Sequence, residues 1–270
     1  EKRQCKALPV LNIGVACQFR SYQTVPVDSE EFQEYVQDAL DLIEFANGDV
    51  NTKWGGLRAK MGHPQSFNLE MIAIGNEQWE SDYVDVAPRY MAFEKAIHKV
   101  YPQMKLLGTA GPFVKHELYD IGWNFYRDNA KSNPNFCYAV DEHYYVAPEW
   151  LYQNVDFYDD YPRDVTVFAG EYAAHDLNLT NSIESALAEA AMMTGMEKNG
   201  DVVKLASYAP LFNRIGHSQW TPDLIWFNEE SVVYTPNYYV QKIFSDYAGS
   251  KALQLDGQDK KLREQKLYVS

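Results

Sequence analysis

Two glutamates carry the chemistry that this sequence offers. Glu77 closes the run Ile-Ala-Ile-Gly-Asn-Glu (72 to 77) and is followed by Gln78 and Trp79, and Glu171 lies in Val-Phe-Ala-Gly-Glu-Tyr-Ala-Ala-His (167 to 175). Each sits where an apolar, strand-like run gives way to a loop. Two carboxyl groups from distant stretches are the minimum equipment for cleaving a glycosidic bond: one protonates the departing oxygen and the other attacks the anomeric carbon or activates water. Asn76 places an amide directly before the first acid, where it can bind a sugar hydroxyl. Tyr172 places a phenol directly after the second, where it can hold a carboxylate oxygen. Alone, each tripeptide is weak evidence; the pair is more specific.

A third segment, Asp141-Glu142-His143-Tyr144-Tyr145, adds an imidazole and phenols one apolar run before Glu171. Asp, Glu and His are all metal ligands. Neighbours on an extended strand point to opposite faces, however, and no second histidine stands at a helical ligand spacing. The pattern therefore favours substrate contacts over a metal, and no cofactor is expected. His175 and His217 read as hydrogen-bonded structural residues. Trp79, Trp220 and Trp226 can serve as sugar platforms or as packing, with equal weight.

These residues need a scaffold. Apolar runs at Leu8 to Ala16, Glu70 to Gly75, Lys105 to Thr109, Cys137 to Glu142, Val165 to Gly170 and Val202 to Tyr208 read as six strands. Amphipathic stretches lie between them. In one, Phe32, Val36, Ala39, Leu40, Ile43 and Ala46 recur at three- and four-residue steps, with Asp28 and Glu31 available to cap its start and Gly48 to end it. A second opens at Pro88 and closes at Tyr101-Pro102; a third opens at Ser182 and stops at Asn199-Gly200. Strands apolar on both sides that alternate with helices predict a parallel sheet covered on both faces. Glu77, His143 and Glu171 each fall at the carboxyl end of a strand, as catalytic groups of a (β/α)8 barrel do.

Only about six of eight βα units are present, so the expected fold is an incomplete (β/α)8 barrel spanning residues 1–250. Its first two strands are expected elsewhere in a longer polypeptide or in another chain. In Lys251 to Ser270, Leu253, Leu255, Leu267 and Val269 suggest the start of a C-terminal β-sandwich.

Composition excludes several classes. A formal charge of −14 over 270 residues argues against nucleic acid and against anionic membrane surfaces. No apolar run of eighteen residues spans a bilayer. Three cysteines, Cys5, Cys17 and Cys137, are too few for a disulfide framework and are expected to be packed thiols. No nucleophile elbow, phosphate loop or dinucleotide-binding glycine motif appears. A neutral partner such as carbohydrate is compatible with this charge.

The motifs together resemble the α-L-arabinofuranosidases of glycoside hydrolase family 51. The likeness covers nearly the whole chain. It includes Tyr35 to Leu40, Ile43 to Gly48, Lys53-Trp54-Gly55, Met61 to Pro64, Ile74 to Trp79, Gly170 to Ala173, Trp220 to Ile225 and Thr235 to Gln241. The resemblance implies Glu77 as general acid/base on the fourth barrel strand and Glu171 as nucleophile on the seventh. It implies Asn76 on the hydroxyl next to the anomeric carbon, and His143 and Tyr145 lining the arabinose subsite. Tyr172 is added on geometry, Trp79 as a platform and Asn213 as a candidate from the eighth-strand region. The expected reaction is retaining hydrolysis, with Glu77 starting protonated and Glu171 ionised. The family's sugar-binding residues on the first two strands have no counterpart here, so the pocket is expected to be incomplete. Polymer-degrading chemistry suggests a secreted or periplasmic protein.

Overall fold

The computed structural model describes residues 5–114, 116–252 and 259–268. The chain divides after Asp141 into two compact units, and the strand β4 (Ala139–Val146) runs through the division.

In the first unit, β1 (Val10–Leu11), β2 (Met71–Ile74), β3 (Lys105–Thr109) and the start of β4 follow one another in sheet order and pair in parallel. Four helices accompany them: α1 (Glu30–Asn47), α2 (Lys53–Lys60), α3 (Val86–Val100) and α4 (Glu117–Ala130). The core is made by Ile72, Ile74, Leu106 and Leu107 on the strands with Phe32, Ile43, Phe93 and Ile97 on the helices, all buried. Helix α1 buries Phe32, Val36, Ala39, Ile43 and Ala46 of the predicted stripe and leaves Leu40 half-buried, but it is capped differently: Ser29, in extended backbone, accepts the Phe32 N–H at 3.1 Å through its hydroxyl, while Gly48 ends the helix as expected. Two buried cations hold loops rather than acids. Arg89 donates to the carbonyls of Ile13, Gly14 and Val25, and Arg58 to those of Phe45, His63 and Pro64.

The first predicted strand is much shorter than the apolar run that signals it. Asn12 Oδ1 accepts the N–H groups of Gly14 and Val15 at 2.7 and 3.2 Å, and Gly14 adopts φ +72°. A side-chain turn therefore ends β1 at Leu11.

In the second unit the sheet order is β4, β5 (Thr166–Ala174), β6 (Val203–Tyr208), again that of the chain. Helix α5 (Pro148–Gln153) follows β4 and α6 (Ile183–Lys198) follows β5. Ser182 caps α6 by accepting the Ser185 N–H, and Asn199 closes it, both as predicted. A smaller three-stranded sheet, β7 (Phe212–Arg214), β8 (Ile225–Phe227) and β9 (Val232–Tyr234), precedes α7 (Pro236–Asp246). Within 251–270 the described part forms the short helix α8 (Asp259–Glu264) and Leu267 is exposed, whereas Leu253, Leu255 and Val269 lie outside the described residues.

Of the three cysteines expected as packed thiols, only Cys137 is buried, and burial pushes its thiol up to about 12. Cys5 and Cys17 are exposed. Among the described residues no helix is long and apolar enough to cross a membrane.

Candidate active site

The first unit carries Glu77. Its strand, β2, lies between β1 and β3, so the chain leaves the carboxyl end of a fully paired strand. The exit is a sharp one. Gly75 has φ +90°, a backbone conformation that side-chain-bearing residues rarely adopt, and a Cβ there would also press within 2.7 Å of Gln78 Oε1. Two residues later Glu77 itself adopts φ +57°, a left-handed conformation uncommon for a residue with a side chain. Strain of this kind concentrates at functional sites.

Around Glu77 the loop is pinned from below. The Asn76 N–H donates to the Gln78 side chain. Gln18 grips the backbone of Trp79 at both groups: its Nε2 donates to the Trp79 carbonyl at 2.9 Å, and its Oε1 accepts the Trp79 N–H at 3.0 Å. Phe19 packs edge-on against the Trp79 ring, 5.1 Å between centroids. A cleft of ≈ 240 Å³ opens here, with Asn12, Gln18, Asn76, Glu77, Gln78 and Trp79 among its lining. Asn76 is exposed and Glu77 and Trp79 are half-buried. Gln18 and Asn12 were not anticipated from sequence; Gln18 is 61 positions from its partner, and no local pattern marks it.

The second unit carries Glu171, within a nine-residue strand whose register against β6 shifts between Ala169 and Tyr172. A bulge at this point turns a side chain without ending the strand. Tyr145 donates its hydroxyl to Glu171 Oε2 at 2.6 Å, and His143 Nδ1 stands 3.5 Å from the same oxygen. Both come from the same face of β4. The opposite face carries Glu142, which accepts from the hydroxyls of Tyr158 and Tyr161 at 3.1 and 2.7 Å, and Tyr144, whose hydroxyl lies 3.3 Å from that of Tyr158. Strand alternation thus splits the Asp-Glu-His-Tyr-Tyr segment into one half that serves Glu171 and one that packs.

The same alternation corrects the expectation for Tyr172. It does not hold Glu171. It is fully buried on the other face, where its hydroxyl donates to Gln241 Oε1 at 2.9 Å. The phenol on Glu171 comes instead from Tyr145, across the sheet. Asn213 is also corrected: it is buried, donates to the Trp220 carbonyl and to Asp223 Oδ2, and accepts from Ser218, so its amide is committed to its own loop. Trp220 is 52% exposed, 6.2 Å from the Tyr145 ring. Behind β5, Glu189 of α6 accepts the Ala174 N–H at 2.9 Å, and burial raises its carboxyl from 4.5 to about 8. Sequence reading missed Glu189 because an acid on a helix ordinarily reads as solvated.

Comparison with known proteins gives a consistent answer. Residues 1–163 match the family model of the α-L-arabinofuranosidase 1 domain, and residues 149–267 match that of the α-L-arabinofuranosidase C-terminal domain. An extracellular exo-α-L-arabinofuranosidase of Streptomyces chartreusis is 42% identical over 86% of this chain and 27% of its own length. α-L-Arabinofuranosidase 2 of Arabidopsis thaliana is 35% identical over 84% of this chain and 31% of its own. The solved structure of an arabinose-bound α-L-arabinofuranosidase of glycoside hydrolase family 51 superposes with a TM-score of 0.75 at 29% identity, covering 92% of this chain and 39% of the other. The chain thus spans about a third of the length of these curated relatives. Its parallel βα succession is that of an incomplete (β/α)8 barrel accompanied by a second, smaller sheet.

Proposed function

The chain belongs to the α-L-arabinofuranosidase family, and from that premise we propose that it supplies the two catalytic glutamates of a retaining glycosidase that releases terminal α-L-arabinofuranosyl residues. The observation that carries the reading is the 2.6 Å hydrogen bond from Tyr145 to Glu171 Oε2. A phenol donating to one carboxylate oxygen fixes which oxygen is left to attack.

In the proposed first step Glu171 forms a bond to the anomeric carbon as the glycosidic bond breaks. Glu77 delivers its proton to the departing oxygen. In the second step Glu77 takes a proton from water, whose oxygen attacks the anomeric carbon and frees Glu171. Asn76 binds the neighbouring sugar hydroxyl, His143 and Tyr145 line the arabinose subsite, and Trp79 flanks the cleft. The substrate is an arabinose-containing polysaccharide or oligosaccharide. Residues 1–250 are assigned to the barrel, with further strands from a longer polypeptide or another chain segment completing it. A place outside the cytoplasm is supported by the Streptomyces relative, which is described as extracellular.

The test is hydrolysis of 4-nitrophenyl α-L-arabinofuranoside beside the β-D-xyloside and cello-oligosaccharides, with the anomer of the first-formed sugar read by proton NMR. Preference for the arabinofuranoside with retained configuration is expected. Preference for xyloside or glucan assigns the substrate elsewhere, inversion removes Glu171 as nucleophile, and binding of arabino-oligosaccharide without turnover makes the chain a carbohydrate-binding protein.

A further inference from the structure

The ring of His175 lies on the ring of Tyr145, with centroids 5.0 Å apart and planes 27° apart. His175 is the first residue past β5, and its backbone N–H donates at 2.7 Å to the carbonyl of Val146, the residue after Tyr145. The two backbones are therefore tied where the two rings stack. Imidazole Nε2 is buried and has no hydrogen-bond partner among the described residues. Packing holds this ring, with the Trp220 ring 6.5 Å away on the exposed side. Burial lowers the imidazole pKa from 6.5, against the opposing charge of Asp176, so a neutral ring meets the phenol near neutral pH.

A phenolic oxygen stands at the far end of a rigid six-membered lever. A small tilt of the ring displaces that oxygen by more than a short charge-assisted hydrogen bond tolerates. The Tyr145 ring packs against Ala173, Tyr208 and Leu224, and the His175 ring stacked on its face restrains such a tilt. We propose that His175 is a positioning residue whose ring face sets the tilt of Tyr145 and thereby the 2.6 Å hydrogen bond that orients Glu171. The kinetic consequence rests on the reading of Glu171 as nucleophile, whereas the geometric one does not.

The experiment uses the full-length protein that carries this chain, with His175→Phe and His175→Ala. Phenylalanine keeps a flat ring and removes the buried unpaired nitrogen, so kcat on 4-nitrophenyl α-L-arabinofuranoside is expected to stay within about threefold of the parent, with Tm no lower. Alanine removes the ring, and kcat is expected to fall about tenfold or more while KM moves less than about threefold. In a Tyr145→Phe background the alanine change should cost less than about twofold, because the bond it acts through is already gone. Parental kcat in His175→Ala, equal losses in both variants, or full additivity with Tyr145→Phe would each overturn the proposal. Crystal structures of parent and His175→Ala give a readout independent of activity: the Tyr145 hydroxyl is expected to move beyond about 3.5 Å from Glu171 Oε2, and an unmoved hydroxyl refutes the role. If the parent hydrolyses no arabinofuranoside, the functional reading fails while this distance still decides the positioning. Should His175→Ala not fold, His175→Leu, apolar but not planar, replaces it in every comparison with His175→Phe.

Discussion

The same side chain is held in two different ways in the two units. Glu77 leaves a four-residue strand through a left-handed backbone, faces an open cleft, and stands on a loop whose backbone is clamped by amide side chains. Glu171 stays within a nine-residue strand, where a phenol donates to one carboxylate oxygen and an imidazole stands beside it. An acid that must hand a proton to a leaving group and then take one from water needs access, and an attacking carboxylate needs a fixed orientation. Under the proposed mechanism the surroundings, more than the residue type, would separate the two roles.

The comparison breaks most sharply at the acids themselves. Glu171→Ala removes the proposed bond-forming atom, and turnover is expected to drop on the order of 10⁴-fold or more on every arabinofuranoside. Glu77→Ala is expected to depend on the substrate. With a poor leaving group, such as an arabino-oligosaccharide, the loss is about 10²- to 10⁴-fold, whereas with an activated aryl glycoside, which departs without a proton, it is much smaller. Added azide should accelerate Glu77→Ala by forming a glycosyl azide of retained configuration, whereas azide taken up in the space left by Glu171→Ala should give the inverted glycosyl azide. Equal losses on both substrates in both variants would erase the distinction between the two sites.

Tyr145→Phe tests what fixes the nucleophile. A hydrogen bond to a charged group contributes about 1.5 to 3 kcal/mol, so kcat/KM is expected to fall about 10- to 100-fold on aryl and oligomeric substrates alike. That indifference to the leaving group separates it from Glu77→Ala. Tyr172→Phe, which removes the hydroxyl bonded to Gln241, is expected to change stability and leave turnover near the parent value. If Tyr172→Phe were the more damaging in kcat, the assignment of faces on β5 would be reversed.

Those two tyrosines also show what the amino-acid order does and does not reveal. Strands β2 and β3 are legible as apolar runs because a parallel strand buried on nearly all its positions has no polar side to interrupt it, whereas β6 exposes Lys204 and Ala206 and β4 carries Asp141, Glu142 and His143. The caps at Ser182 and Asn199 and the end at Gly48 are legible because they satisfy helix-end groups locally. The partner of Glu171 was sought in the next residue, although alternation sends that residue to the opposite face. The phenol that reaches it lies 26 positions upstream on β4. Likewise Gln18 on Trp79, Arg89 on the Ile13 to Val25 loop and Glu189 behind Ala174 are long-range bonds without a local signature. The end of β1 was missed for a different reason: apolarity continues through Ile13 and Val15, but the Asn12 side chain outcompetes the strand for their neighbourhood's N–H groups.

A smaller effect concerns what lies behind the Glu171 strand. Glu189 is buried, its folded value near 8 stands above the ordinary 4.5, and its proton is therefore held more tightly in the folded state than in the unfolded one. Its contribution to stability is complete below pH 4.5 and is lost as pH rises to about 8, up to about 5 kcal/mol in all. Glu189→Gln keeps an acceptor for the Ala174 N–H and cannot ionise. Urea unfolding at pH 5 and pH 9 is expected to show the variant gaining on the parent at the higher pH. A difference that does not change between those values would mean that Glu189 is not titrating across this window.

The smallest effect isolates the backbone. At φ +57° a Cβ crowds the following carbonyl, at a cost of roughly 1 to 2 kcal/mol that glycine does not incur. On an ordinary strand the order is opposite, because glycine loses more chain entropy on folding than alanine, by roughly 0.5 to 1 kcal/mol. Glu77→Gly is therefore expected to be more stable than Glu77→Ala by about 1 kcal/mol, whereas Glu171→Gly is expected to be less stable than Glu171→Ala. Both members of each pair have lost the carboxyl group and its contacts, so those terms cancel and the crossing reports main-chain conformation alone. All four proteins lack one of the proposed catalytic acids, and chemical denaturation measures them without a substrate. If glycine and alanine rank in the same order at both positions, Glu77 is not strained, and its site differs from that of Glu171 only in the side chains around it.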